Sequence, residues 1–422
     1  MTLRINYMIF AIIIVSCASI FAFDTNAQQI REYNLEIDNK MVNFTGKDKM
    51  AISVNDSIPA PTLYFKEGET AKINVKNNLD TNTSVHWHGI LLPNRQDGVS
   101  YLTTPPITPG MTYTFEFPLI HSGTYWYHSH TGLQEQKGVY GAIVIEPKEN
   151  RTDIEVPKVQ ETIVLSDWTD QNPHEVLRDL KRGSEYQEFK KGSMQTVYGV
   201  IKNKAIVDNF KRSLRRMPPM DLSDVAYDAF LINGKQQSEF KAQPGEKILL
   251  RIINAGGASY FYLNYAGGDM EVIAADGVDV KPFKTDRMLM AIAETYDVII
   301  TVPKSGSAEF RATAQDGSGH ASLFIGEGDK VLAQDIPKPN LYKMDHSHMM
   351  MDHEGHGDME KKEMEMDHSM KEHMDHSSMD HGSMDHSNKH MDMSHDMKMD
   401  TNPRPMPPYK YLRSVMPTSL PK

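Results

Sequence analysis

Between Lys72 and Asn77 the chain reads KINVKN, and between Thr112 and Phe117 it reads TYTFEF, so apolar and polar residues alternate with a period of two. Successive side chains of a strand project to opposite faces, and this alternation predicts β-strands with one face on a core. Gly and Pro turns separate such runs from Gln28 to about Pro147. The same grammar returns between about Glu149 and Lys338 in ETIVLSDW, AFLINGK, EKILLRIINAG, YDVIITVP and AEFRATA. One stretch interrupts it: from Pro173 to Met217, Val176, Leu177, Leu180 and Phe189 fall at helical spacing among charges, which predicts short helices in a surface decoration. The pattern describes an all-β chain of two consecutive domains, residues 28–150 and 151–338, the second carrying a helical insertion at about 173–217.

The two ends follow other rules. Arg4 precedes an apolar run from Met8 to Phe23 and then polar residues, which reads as a secretory signal, residues 1–27, cleaved near Ala27. A lipoprotein box ending at Cys17 is the alternative, although the apolar run continues past it through Ile20 to Phe23. After Phe23 nothing approaches the roughly 20 apolar residues of a membrane span. Export to the periplasm or beyond is therefore the expectation. At the other end, Met344–Asp400 contains 15 Met, 11 His and 15 acidic residues against 5 basic ones, without one aliphatic or aromatic residue. Little there offsets the entropy of ordering, so residues 339–402 are expected to be disordered when free of ligand. The tract carries nearly all of the net charge of −11, leaving the folded part almost neutral, with no footprint for nucleic acid. Residues 403–422 form a Pro-rich linker.

Cys17 is the sole cysteine, so domains after the signal hold no disulfide, thiolate ligand or cysteine nucleophile. Any metal must be held by His, Met, Asp or Glu. Thioethers suit Cu(I), while imidazole also accepts Cu(II), Zn and Ni. In the tract Met344, His346, His348, Met351, His353, His356, Met366, His368, Met374, His376, Met379, His381, Met384 and His386 recur at spacings of a few residues, as a flexible multidentate collector. A solvated acidic linker and a zinc or nickel sponge are the competing readings. The concentration of Met, which serves no solvation purpose, favours copper ions, Cu(I) especially.

A second metal signal lies in the first domain. In SVHWHGI, His86 and His88 share one face of a strand and Trp87 takes the other. A lone HxH is usually an ordinary hydrogen-bonded pair, but GTYWYHSHTG repeats the spacing at His128 and His130. Two such strands side by side place four imidazoles about one centre, which is metal-site geometry. His121, His174 and His320 stand outside this pattern.

HWHG followed about forty residues later by GTYWYHSH resembles the first two of the four copper motifs of the multicopper oxidases, the laccase-like enzymes. With a Met/His-rich segment after the second domain, the chain is most similar to the periplasmic copper-resistance oxidases of bacteria. The resemblance implies two consecutive cupredoxin-like Greek-key β-barrel/sandwich domains. It implies copper as cofactor, with His86 a type 2 ligand and His88, His128 and His130 type 3 ligands. Asp97, in the DGV turn, matches a carboxylate that relays protons, its other reading being a plain Asp-Gly turn. Trp87 and Trp126 are expected to pack behind the ligands. The implied activity is one-electron oxidation of Cu(I), or of phenols, coupled to four-electron reduction of O2. Other periplasmic copper-handling proteins are candidate partners.

The departures from the family are equally specific. Its trinuclear cluster takes eight histidines, four of them from a last domain that also supplies the cysteine, two histidines and usually the methionine of the type 1 site. These motifs do not occur between residues 28 and 422. The expectation is a chain without the family's third domain and inactive by itself, a fragment if HCH and HxxHxH motifs follow in frame, and a non-catalytic copper-sequestering protein if they do not. A partner chain supplying the missing half is a further reading, as is a two-domain copper nitrite reductase, which would also need a type 1 cysteine.

Overall fold

The computed structural model describes residues 29–149, 155–183, 185–214 and 222–342. The signal segment, the Met/His tract from Met344 and the 403–422 linker lie outside the described residues. The first domain is a sandwich of two four-stranded sheets. One has the order β2 (Lys49–Val54), β1 (Ile30–Val42), β4 (Thr70–Asn77) and β6 (Thr112–Pro118). The other has the order β3 (Ala60–Lys66), β8 (Tyr140–Glu146), β7 (Gly123–His128) and β5 (His86–His88). The period-two runs become strands in the expected phase: β4 buries Ala71, Ile73 and Val75, and β6 buries Phe115 and Phe117. These meet Leu63, Phe65, Trp87, Tyr127, Ile143 and Ile145 of the facing sheet in one core.

The second domain repeats the sandwich with two six-stranded sheets. The first runs β10 (Ala229–Ile232), β9 (Val159–Trp168), β12 (Lys247–Asn254), β17 (Thr295–Thr301), β14 (Met270–Ala275) and β15 (Val278–Thr285). The second runs β11 (Gln237–Phe240), β19 (His320–Glu327), β18 (Gly306–Ala314), β13 (Phe261–Tyr265) and β16 (Arg287–Met290), with β20 (Lys330–Val331) beside β18. β12 is buried on both faces from Ile248 to Asn254, which is why ILLRII shows no alternation. The insertion folds as four short helices, α1 (Pro173–Arg182), α2 (Tyr186–Lys191), α3 (Val197–Lys202) and α4 (Ile206–Leu214). Asn172 caps α1 by accepting from the His174 N–H, with Pro173 in the first turn, and Gly183 ends it in the left-handed region. No helix of the described residues is long and apolar enough to cross a membrane.

β7 holds the two sandwiches together. Its inward residues, Tyr125 and Tyr127, belong to the first core. Its outward residues face the second domain: Trp126 packs with Tyr140, Ala142, Val164, Ile253 and Ala255. Thr124 is clamped at the other end. Its hydroxyl lies 2.9 Å from Arg251 Nη1, which donates to it and, at 2.9 Å, to Asp297 Oδ2. The Thr124 hydroxyl in turn donates to Asp297 Oδ1, and its carbonyl accepts from the Thr295 hydroxyl. Arg251 and Asp297 are both buried, so neither can exchange its partner for water. Removing one member of such a pair leaves a buried charge uncompensated. Asp297→Ala is expected to lower the unfolding free energy by about 3–5 kcal/mol in urea titration; a loss below about 1 kcal/mol would show that the clamp is not a structural tie.

Candidate metal centre

The site begins with strand register. β5 and β7 pair antiparallel, with His86 opposite His128, Trp87 opposite Tyr127 and His88 opposite Trp126. Residues opposite one another share a face, so His86, His88, Trp126 and His128 all project away from the first core while Trp87 and Tyr127 project into it. His130 lies just past the end of β7, where its backbone N–H donates to Ser84 Oγ at 3.0 Å. Its ring still reaches the cluster, with centroids 4.9 Å from His86 and 4.8 Å from His128. The rings of His86 and His88 each stand within 5.6 Å of His128. One nitrogen from each of His86, His88 and His128 lies within 4.8 Å of the others. The structure thus brings together all four histidines of the two HxH motifs, His128 buried at one end and His130 exposed at the other.

Two rings are oriented through Nδ1. His86 Nδ1 donates to the carbonyl oxygen of Asp97 at 2.7 Å, and the Asp97 carboxylate lies 3.4 Å from the same nitrogen. This contact depends on Gly98, whose φ is +86° and whose missing Cβ would stand 1.7 Å from the Val85 carbonyl oxygen. His128 Nδ1 donates to Glu135 Oε2 at 2.7 Å. Glu135 is presented by the loop after His130, which Gln134 pins by donating to the Asn82 carbonyl and accepting from the Thr83 and Ser129 hydroxyls. With Nδ1 protonated on both rings, each Nε2 carries the lone pair that binds a metal.

Burial favours the neutral ring at His86, His88 and His130. It lowers the pKa of His86 and His130, and brings His88 down to about 4, with repulsion from the neighbouring rings adding to it. Uncharged imidazole is the form that ligates. His88 Nδ1 and His128 Nε2 stand 3.3 Å apart, close to the roughly 3.3–3.4 Å between two nitrogens that share a tetrahedral ion at about 2.0–2.1 Å. The donor set fits a metal of borderline softness such as copper or zinc.

Trp126 departs from the expectation. Trp87 packs behind the ligands, buried against Phe115, Phe117 and Tyr127. Trp126 instead lies on the ligand face, its ring stacked on His128 at 4.0 Å and on His88 at 5.0 Å. It stands two residues before His128, so strand parity alone puts it there. His121 is not a ligand but a brace: its Nε2 accepts from the Leu91 N–H at 2.9 Å and its Nδ1 donates to the Tyr125 hydroxyl at 2.9 Å, fixing the loop that follows His88. His174 and His320 are exposed, apart from the cluster. Glu135 and Gln134 were absent from the motif reading, because GLQEQKG carries no sign of which acidic residue turns inward.

A multicopper oxidase profile matches residues 36–150 and a second one residues 160–325, one for each sandwich. Copper resistance protein A of Escherichia coli is 39% identical over 350 residues, covering 78% of this chain and 57% of the relative. Copper resistance protein A of Pseudomonas syringae pv. tomato is 38% identical over 318 residues, covering 72% and 51%. The chain therefore spans about half the length of these curated relatives. Among solved structures, Fet3p, a multicopper oxidase that functions in iron import, superposes with a TM-score of 0.58 at 22% identity over 74% of this chain and 55% of that one. The blue copper oxidase of Nitrosomonas europaea gives 0.55 at 23% identity over 75% and 93%. At these identities the structural likeness speaks for the fold, two cupredoxin-like domains. With both sandwiches matched in order and the HxH strands paired, the chain belongs to the multicopper oxidase family.

Proposed function

We propose that this chain carries the His86, His88, His128 and His130 half of a copper-oxygen centre in an exported copper-resistance oxidase. The observation that supports it is the convergence of four imidazoles on one face of the β5–β7 pair. In this reading His86 serves a type 2 copper and His88, His128 and His130 serve type 3 coppers. Copper bound there would supply one-electron chemistry toward O2. The balance is four Cu(I), O2 and four protons giving four Cu(II) and two waters, so the substrate is Cu(I), with phenols as alternative reductants.

The chain's own residues orient the nitrogens and handle protons. Asp97 holds the His86 ring through its carbonyl and keeps a carboxylate 3.4 Å from that ring, the group in this reading that would hold and release protons beside the cluster. Glu135 holds His128 in one tautomer. Trp126 and the buried seam behind it exclude water from one side of the cluster. Met344, His346 and the later Met and His of the tract would gather Cu(I) near the domains and hand it on.

A second reading is copper sequestration without turnover. It is favoured by one fact: residues 28–422 contain no cysteine from which a type 1 copper-thiolate site could be made. In both readings residues 1–27 direct export, and copper is the ligand.

In a chain ended at residue 342, which removes the tract, His88→Ala with His128→Ala is expected to abolish copper retention on desalting. Glu135→Ala should weaken retention about 10–100-fold in a chelator competition, as loss of a group that orients a ligand does. Retention unchanged in the double variant would place copper elsewhere. The 422 residues loaded with copper should be pale, without the intense absorption of a copper-thiolate bond, and should not turn over Cu(I) or phenols. A blue, turning-over preparation would contradict this.

A further inference from the structure

Glu135 orients His128 from the middle of a turn whose flanking residues are held by different domains. Gln134, on one side, is buried and tied to Asn82, Thr83 and Ser129 of the first sandwich. Gln136, on the other side, reaches the second sandwich. Its Nε2 donates to the Asp167 carbonyl at 3.1 Å and lies 3.4 Å from Asp167 Oδ1. Its Oε1 accepts from the Tyr227 hydroxyl at 3.0 Å. Both ends of the amide are used, which fixes the side chain in direction as well as in place.

The receiving side is itself rigid. The Asp167 carboxylate, buried near the end of β9, accepts from the N–H groups of Gly257 at 2.9 Å, Ala258 at 3.1 Å and Ser259 at 2.9 Å, all in the loop after β12. Three backbone donors on one carboxylate leave it little freedom to move. Gly257 also makes room for the incoming amide, since a Cβ there would stand 2.4 Å from Gln136 Oε1. A carboxylate and an amide set into a domain seam cost desolvation that apolar side chains would avoid, so what they contribute is direction.

We propose that Gln136 is a positioning residue for the His128 ring, through which Asp167 and Tyr227 of the second sandwich keep Glu135 on His128 Nδ1. The Glu135 side chain is partly exposed, and its backbone is fixed only within the turn, where the Gly138 N–H donates to the Glu135 carbonyl at 2.9 Å. Anchored at Gln134 alone, the turn could pivot and carry the carboxylate into water. Anchored at Gln136 as well, Glu135 is bracketed between two fixed neighbours. The inference deepens the copper reading and rests on it for its purpose: the orientation of one histidine of the first sandwich depends on the docking of the second.

The test reads the ring directly, by NMR of the metal-free full chain carrying isotope-labelled histidine, at about pH 8.5, above the ordinary histidine range. The spectrum gives the ratio of the Nδ1–H to the Nε2–H tautomer of His128, whose signals are those lost in His128→Gln. Gln136→Ala is expected to lower that ratio about tenfold, as loss of a hydrogen bond to a charged group does, and to leave the His86 ratio unchanged. In a Glu135→Ala background the same substitution should change nothing further, because it acts through that carboxylate. If Gln136→Ala does not fold, Tyr227→Phe, which removes only a hydroxyl, is judged by the same criteria. A His128 ratio unmoved by the substitution would overturn the proposal. So would an equal change at His86, which marks general loosening of the domain, or a further fall in the Glu135→Ala background. No metal enters these measurements, so they stand apart from the copper reading, which the double variant at His88 and His128 decides separately.

Discussion

The antiparallel register of β5 on β7 is the constraint on which the rest depends. Once His86 lies opposite His128, strand geometry puts His86, His88, Trp126 and His128 on one face, and a shift by one residue would turn all of them into the first core. The register is held from both sides. Trp87 and Tyr127 pack inward among Phe115 and Phe117, and Thr124 and Trp126 pack outward against β12 and β17. β7 is consequently buried along its whole length.

Burial of this kind has an electrostatic consequence. Imidazoles taken out of water and set beside one another resist protonation, which favours the lone-pair form that ligates. Neutral rings would still be free to rotate and to exchange tautomers, and the fold removes that freedom with a carbonyl for His86 and a carboxylate for His128. Both partners come from loops outside the two strands. The two histidine-bearing strands therefore set positions, and the loops set orientation and proton placement.

The second sandwich adds rigidity to the first through the Arg251–Asp297–Thr124 clamp and the Trp126 seam. Its helical insertion lies apart from that seam and fixes the chain's exit at Tyr342. The same chain thus carries two sets of metal-binding residue types of different composition. Imidazoles in a rigid, half-buried cluster are joined by a short stem to thioethers and imidazoles in a tract of different composition.

Much of this was legible in order of residues. Alternation marked β4 and β6 with their buried faces, and helical spacing marked the insertion, because those periods follow from backbone geometry alone. The two HxH motifs named the four histidines for the same reason. Parity in YWYHSH also placed Trp126 on the ligand face, although the expectation had it behind the ligands. What only tertiary structure decided were the partners set by loops and by the other domain: Glu135 on His128, His121 under Leu91, and Arg251 and Asp297 on Thr124, the last across 173 residues of chain. Such contacts depend on which way a loop turns and which sheet faces which. A single strand's period contains neither, since it records the direction of a side chain but not what waits there.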